Sequence, residues 1–176
     1  MAAGKIILSV MVSVDGYACA INGSTSLLRQ YYQEFVPAGV ELLAPKDCGA
    51  VLLGRKAYEQ YGDEVKKLAG SGMQLIVATR TKLQTPKSLI LVKGDLKQAW
   101  QRIQKRLQCN LWVLGGPDVI NQLSSVNALD EIRLTTVPVQ LGGGIPLFDP
   151  DLQRPEMTLQ KLEQYGGLTY SVWQKK

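Results

Sequence analysis

The sequence predicts an α/β fold, with a mostly parallel sheet covered on both faces and an antiparallel edge. Three observations carry this. Short apolar runs of β type alternate with stretches of helical periodicity along most of the chain. Two of the runs, 50–53 and 111–114, are continuously apolar, as in strands buried on both faces. The last two runs have no helix between them and are joined by Tyr165-Gly166-Gly167, which reads as a hairpin.

Taken in order, the predicted strands are 6–14, 50–53, 74–79, 88–92, 111–114, 132–138, 158–163 and 169–174. The helical stretches between them are 26–35, 40–44, 56–61, 64–68, 96–108 and 119–123. The clearest helix is 96–108. Leu96, Ala99, Trp100, Ile103 and Leu107 fall on one stripe, with Lys and Gln opposite. Asp95 is a good N-cap before it, and Gln98 stands where a capping-box partner would. The 119–123 helix begins after Pro117, a residue well suited to open one. No repeat, low-complexity tract or linker interrupts the chain, so residues 1–176 read as a single domain.

Composition excludes several classes of function. The 176 residues suffice for one domain with a real core. There is no histidine, and the three cysteines, Cys19, Cys48 and Cys109, are far apart. Common zinc sites and Ser/His or Cys/His nucleophile pairs are therefore ruled out, and no metal is expected. The cysteines read as reduced, buried small residues of a cytoplasmic protein. No apolar segment approaches the length of a membrane span. Lys5, the apolar run after it and Ala18-Cys19-Ala20 mimic a signal peptide, but Ser9, Ser13 and Asp15 weaken the run, which reads better as the first strand. The net charge of +5 is dispersed. Its densest cluster, Lys97 to Arg106, lies on one helix without interleaved aromatics, so no nucleic-acid partner is expected. The basic balance also suits an anionic small ligand.

Four turns could carry chemistry. Gly54-Arg55-Lys56 follows a buried strand and opens a helix, whose free N–H groups and positive dipole end suit a phosphate. It reads equally as a glycine hinge before a basic first turn. Gly115-Gly116-Pro117-Asp118 occupies the same position after another strand. It lacks the spacing of the classical dinucleotide fingerprint. Thr79-Arg80-Thr81-Lys82 places a hydroxyl and two cations at a strand's carboxyl end, where they could seat a 2′-phosphate or form a solvated loop. The fourth, Leu141 to Phe148 with three glycines, reads first as a packed irregular turn and second as a ligand cradle. The first three all follow strands, where open α/β sheets bind ligands, so one extended anionic ligand could touch them all.

In combination these motifs resemble a known family. LWVLGGPDVINQL and LDEIRLTTVPVQLGGGIPLF are similar to the carboxyl-terminal reductase domain of the bifunctional riboflavin-biosynthesis deaminase/reductase, a member of the dihydrofolate reductase-like superfamily. ILSVMVSVDGYACAINGS resembles that family's first strand and Asp-Gly loop, and VLLGRKAYEQYG its phosphate turn. The resemblance covers nearly the whole chain. It implies a dihydrofolate reductase-like three-layer αβα sandwich with an eight-stranded mixed sheet, binding NADPH. By position it implies that Gly54, Arg55 and Lys56 hold cofactor phosphates, and that Thr79 and Arg80 face the adenosine 2′-phosphate. Gly115 and Gly116, with Asp118 and Val119 at the helix start, would hold the pyrophosphate. Val10, Ala18 and Leu114 would flank the nicotinamide. A homodimer is implied as well.

The departures fall on the substrate side. The family's early loop often carries a tryptophan, or an aspartate and tryptophan together, where this chain has Asn22-Gly23-Ser24-Thr25-Ser26-Leu27-Leu28. Glu34 and Glu41 are near the position of a catalytic acid, but neither matches it, and both read as surface helix residues. Asp15 reads as a turn residue. Pro117 removes a backbone donor that a third glycine would provide. The expectation is an NADPH-dependent reductase of a small pterin or aminopyrimidine-type heterocycle, with no catalytic acid assigned. The alternative is a non-catalytic dinucleotide-binding or dimeric scaffold protein.

Overall fold

The computed structural model describes residues 4–70, 72–84, 89–152 and 155–176. β1 (Ile6–Ser13) and the short β2 (Tyr17–Cys19) lead into α1 (Ser26–Phe35). β3 (Cys48–Gly54), α2 (Arg55–Gly70), β4 (Gln74–Thr79) and β5 (Ile90–Lys93) follow. The chain continues through α3 (Leu96–Arg106), β6 (Asn110–Gly115), α4 (Pro117–Ser125) and β7 (Glu131–Val137). It ends with β8 (Ile145–Pro146), β9 (Met157–Tyr165) and β10 (Leu168–Lys175).

Eight strands form one sheet in the order β5-β4-β3-β6-β1-β7-β10-β9. Pairing is parallel from β5 to β7 and antiparallel at β10 and β9. The predicted hairpin is present, with Gly166 at φ +58 in its two-residue turn. A Cβ at Gly166 would stand 2.3 Å from the Phe35 carbonyl oxygen, so glycine serves both the turn and the close approach.

Alternation along the strands divides the core. Ile6, Leu8, Ala50, Leu52, Ile76 and Val113 point to one face, where Leu96 of α3 and Val119, Ile120 and Leu123 of α4 cover them. Ile7, Val51, Leu53, Leu75, Val77 and Trp112 point to the other, under Ala57 of α2. On the same side as α2, Leu28 and Tyr32 of α1 pack on Val137 and Leu168. Each such buried aliphatic contributes about 1.5–3 kcal/mol, well above the few tenths per residue that separate helix propensities. Burial on the sheet thus holds the helices. The connections from β1 to β3 and from β3 to β4 run one way across the sheet, and those leaving β5 and β6 run the other way. Right-handed crossovers therefore put α1 and α2 on one face and α3 and α4 on the opposite one.

Several element boundaries differ from expectation. Residues 40–44 are not helical. The Glu41 carboxylate accepts the Leu43 and Ala44 N–H groups at 2.8 and 3.3 Å, and the Ser9 hydroxyl donates to the Leu43 carbonyl. Pro45 follows at once and disfavours helical backbone at Ala44. The helices expected at 56–61 and 64–68 are one element, α2, which departs from helical geometry at Tyr61 (φ −113, ψ 17). α3 stops at Arg106, because Leu107 turns extended. The fourth strand begins at Ile90, and Ser88, its expected first residue, lies outside the described residues. β2 and β8, three and two residues long, were not predicted.

Candidate functional site

The central strands part at their carboxyl ends. β1 pairs with β6 only at Ile6–Leu111, Ile7–Trp112 and Leu8–Val113. Yet β1 continues beside β7 as far as Ser13–Val137, and β6 runs on to Gly115. The indole Nε1 of Trp112 donates to the Ser9 carbonyl at 3.1 Å and so caps the first β1 carbonyl beyond the shared ladder. The parting coincides with a reversal of chain direction: β6 feeds α4 on one face, while β1 and β3 feed α1 and α2 on the other. Ligands of open α/β sheets bind at such a reversal. Val10 and Ala18, both half-buried, pack on the α3–α4 side. Half-buried Leu114 packs on the α2 side. Val10 and Leu114 thus line the parted strands from opposite faces.

Three of the four sequence-selected turns come together beside this gap. β4, β3 and β6 are adjacent and parallel, with Gly54 opposite Ala78 and Leu53 opposite Gly115, so their carboxyl ends share one edge. Gly115 has φ +109, and a Cβ there would stand 3.0 Å from the Ile120 Cδ1. A Cβ on Gly54 would stand 3.2 Å from a Val119 methyl, while Gly116 faces open space. No side chain caps α4. Its first N–H within the helix ladder is that of Ile120, bonded to the Gly116 carbonyl at 3.2 Å. The Asp118 and Val119 N–H groups therefore have no partner within the helix, as expected of a first turn, and suit an anion. Pro117, at the helix start, contributes no donor.

The cations of this edge already have partners. Arg55 donates from Nη1 to the Thr81 hydroxyl at 2.7 Å and pairs with Glu59 at 3.3 Å. Arg80 faces Asp118 at 3.5 Å. Asp118 accepts from Gln122 Nε2 at 2.8 Å, and the side-chain Oε1 of Gln122 accepts the buried Leu96 N–H at 3.0 Å. Lys56 is exposed. Thr79 is buried. Its hydroxyl donates to the Thr81 carbonyl and accepts the Thr81 N–H, so it serves the turn. Thr81, which sequence reasoning left out of the site, presents its hydroxyl to Arg55 instead. The signal for it was its place between two cations. Arg80, Gly94, Asp95, Asp118 and Gln122 line part of a cavity of about 510 Å3 beside these turns.

The fourth turn lies elsewhere, clasped to the loop after β1. The Asp15 carboxylate accepts the Leu141 and Gly142 N–H groups at 3.1 and 2.8 Å. β8 pairs with β2, and a Cβ on Gly144 would stand 2.3 Å from the Cys19 carbonyl oxygen. The Ser13 hydroxyl, and then these N–H groups, hold the Asp15 carboxyl below its ordinary range. Asp15 is thus a charged turn residue. Glu34 is exposed on α1, and Glu41 is spent on the Leu43 and Ala44 N–H groups and the Tyr32 hydroxyl. Burial raises the Cys19 thiol and pushes that of Cys48 up to about 12, which removes both as nucleophiles. Among the described residues, Thr135 Oγ1 is the one buried side-chain polar atom without a hydrogen-bond partner. It lies on β7 between Met11 and Tyr170. No group of three or more acidic, Cys or His side chains among the described residues could hold a metal.

Comparison with known proteins agrees with this architecture. The family model of the RibD C-terminal domain matches residues 4–169. The uncharacterized protein YwjB of Bacillus subtilis (strain 168) is 25% identical over 163 residues, covering 92% of each chain. A solved structure from Shewanella sp. PV-4, named for riboflavin biosynthesis, superposes with a TM-score of 0.73 over 99% of both chains at 22% identity. Dihydrofolate reductase from Enterococcus faecalis, complexed with NADP(H), superposes with a TM-score of 0.61 at 13% identity, over 99% of this chain and 98% of that one. At these identities the two structures speak for the fold, a dihydrofolate reductase-like sandwich.

Proposed function

Since the chain belongs to the RibD C-terminal domain family, we propose that it is an NADPH-dependent reductase of a small heterocycle of pterin or aminopyrimidine type. The observation that carries the proposal is the parting of β1 from β6 beside three aligned turns. A dinucleotide phosphate is long, anionic at its middle and at one end, and flat at the other. The open gap between Val10, Ala18 and Leu114 suits the flat ring. Gly115, Gly116 and the N–H groups of Asp118 and Val119 suit the pyrophosphate, with Gly54, Arg55 and Lys56 alongside. Arg80, backed by the Thr79 turn, suits a 2′-phosphate. When bound, the dinucleotide supplies a hydride. The chain's own part is to bind, to orient the ring against the heterocycle, and to keep water from the gap.

The test is a fluorescence titration with NADPH, for which saturable binding is expected. Absence of binding at high micromolar concentration would overturn the proposal. Arg55→Ala is expected to weaken binding about tenfold, in line with the loss of one charge-assisted contact to phosphate. An unchanged Kd would remove Arg55 from the site.

A second reading is favoured by the state of the acids. Asp15 and Glu41 are engaged in loops and Glu34 is exposed, so none of the three is a buried acid free to donate a proton. A non-catalytic dinucleotide-binding or scaffold protein would need none. Oxidation of NADPH with any of a panel of pterins and aminopyrimidines would exclude it. In the reductase reading, solvent supplies the proton. The three free cysteines suit a reducing cytoplasm. The oligomer we propose is a homodimer. Leu159 and Leu162 are exposed on the edge strand β9, and sedimentation at micromolar concentration would distinguish one chain from two.

A further inference from the structure

Resting on the dinucleotide reading, we infer that the Asp118 side chain sets cofactor choice: its carboxylate, fixed beside Arg80, holds down the preference for NADPH over NADH. Three observations lead there. Asp118 is an acid in the first turn of α4, where the helix's free N–H groups would otherwise make an unopposed anion site. It faces the guanidinium of Arg80 at 3.5 Å, and the two side chains are 72% and 68% exposed, open to an incoming ligand. Its direction is imposed by a joint anchored on the buried Gln122. Gln122 donates to the Asp118 Oδ2 at 2.8 Å and is itself held through the Leu96 N–H at 3.0 Å, so α3 and α4 together aim the carboxylate.

The electrostatic consequence separates the two cofactors. Arg80 stands at the end of β4, the one place among the three turns that an NADH molecule would leave without a phosphate. A phosphate arriving there must displace Asp118 from Arg80, or bind with the carboxylate a few ångströms away. NADH, with no phosphate at Arg80, meets neither cost there. The other acids of this cavity, Asp95 and Asp149, accept the Lys97 and Asp151 N–H groups at 2.8 and 3.0 Å. The main-chain N–H of Asp118 is unaffected by this role and remains a donor toward the pyrophosphate. Backbone and side chain of one residue thus act in opposite senses.

Asp118→Asn removes the charge and keeps an oxygen for Gln122, so the joint persists. Calorimetric titration of the wild type, D118N, R80Q and the double variant with NADPH and NADH tests the inference. A unit charge several ångströms away in high dielectric predicts that D118N tightens NADPH about threefold to tenfold more than it tightens NADH, whose gain is limited to the pyrophosphate. The gain for NADPH should grow at low salt and shrink in the R80Q background, where no Arg80–Asp118 pair has to be displaced. NADH binding by R80Q shows that this variant is folded. Equal tightening of both dinucleotides, or no change in their ratio, would overturn the inference while leaving the cofactor reading intact. Failure of the wild type to bind either dinucleotide would instead take down the reading on which it rests.

Discussion

Single residues at the strand ends carry separable roles, and glycines show this most directly. Gly115 and Gly54 occupy equivalent places on neighbouring strands, yet only Gly115 has positive φ, at +109. That conformation is strained for any side chain by about 1–3 kcal/mol. The atom a new Cβ would meet, Ile120 Cδ1 at 3.0 Å, is a side-chain end that can yield, so backbone strain dominates. Gly115→Ala is expected to destabilise by about 2 kcal/mol, and Gly54→Ala by less than about 1. Urea unfolding of the two variants checks the order, and equal losses would contradict it. Asp15 makes a different point. Its carboxyl is held below 3.8, so it stays charged throughout the neutral range. Asp15→Asn should therefore loosen the Leu141–Gly142 turn and lower thermal stability, without changing the shape of any pH–rate profile above 3.8. A shifted ionisation in that profile would return Asp15 to the role of acid. Thr79 and Thr81 show what residue identity alone conceals. The sequence marks Thr79 as the candidate, but the local turn spends its hydroxyl on backbone and leaves that of Thr81 to face Arg55.

At the level of elements, the sequence was informative where periodicity is long. α1 was legible to the residue, and α3 was legible from its apolar stripe and its cap. Asp95 accepts the Lys97 N–H at 2.8 Å. The cap matters beyond α3, because the next residue, Leu96, is the donor that fixes Gln122 and through it Asp118. Asp95→Ala is expected to cost about 1 kcal/mol, as loss of a side-chain N-cap does. Thermal unfolding that shows no loss would mean that α3 is held by Leu96 and its neighbours alone. β2 and β8 were illegible for the opposite reason. Two or three residues have no period, and their pairing depends on a loop closed from far along the chain. Residues 40–44 misled because their apolar spacing suits a helix, while Glu41 and Pro45 favour a turn. The parting of β1 from β6 left no trace in the sequence either. Both strands are apolar where they pair with each other, and register is a property of the sheet. Glycine and cations after strands located the turns, and only the sheet order brought them to one edge.

Across the whole molecule, the two ends of the sheet are built differently. The carboxyl edge is opened by parted strands, glycines and exposed cations. The amino edge is locked by charge. Arg133 of β7 forks onto Asp47 with two bonds of 2.8 Å and reaches Glu131 at 2.6 Å. Lys5, ahead of β1, and Gln174, on β10, each reach the other Glu131 oxygen at 3.2 Å. The cluster thereby joins the segment before β3 to β1, β7 and β10. Arg133 holds the Asp47 carboxyl below its ordinary 3.8. Burial alone would raise Glu131, and Arg133, Gln174 and Lys5 overcome it, holding its carboxyl below 4.5. Carboxyls held low in the folded state stabilise it above their ordinary values, and that stability is lost as pH falls through the folded ones. The wild type should therefore weaken in acid below 4.5, and more steeply below 3.8. Arg133→Ala inverts part of this dependence. It leaves the buried Glu131 short of its main partner, at a cost of about 3 kcal/mol at neutral pH. Burial then dominates and lifts the Glu131 carboxyl, so protonation relieves the penalty as pH falls. The difference in stability between wild type and R133A should be largest at neutral pH, begin to shrink above 4.5 as Glu131 of the variant takes up its proton, and shrink further below 4.5 as the wild type loses its own stabilisation. Denaturant unfolding of both proteins across that range measures it, and a difference that stays constant or grows in acid would show that Arg133 contributes packing rather than charge.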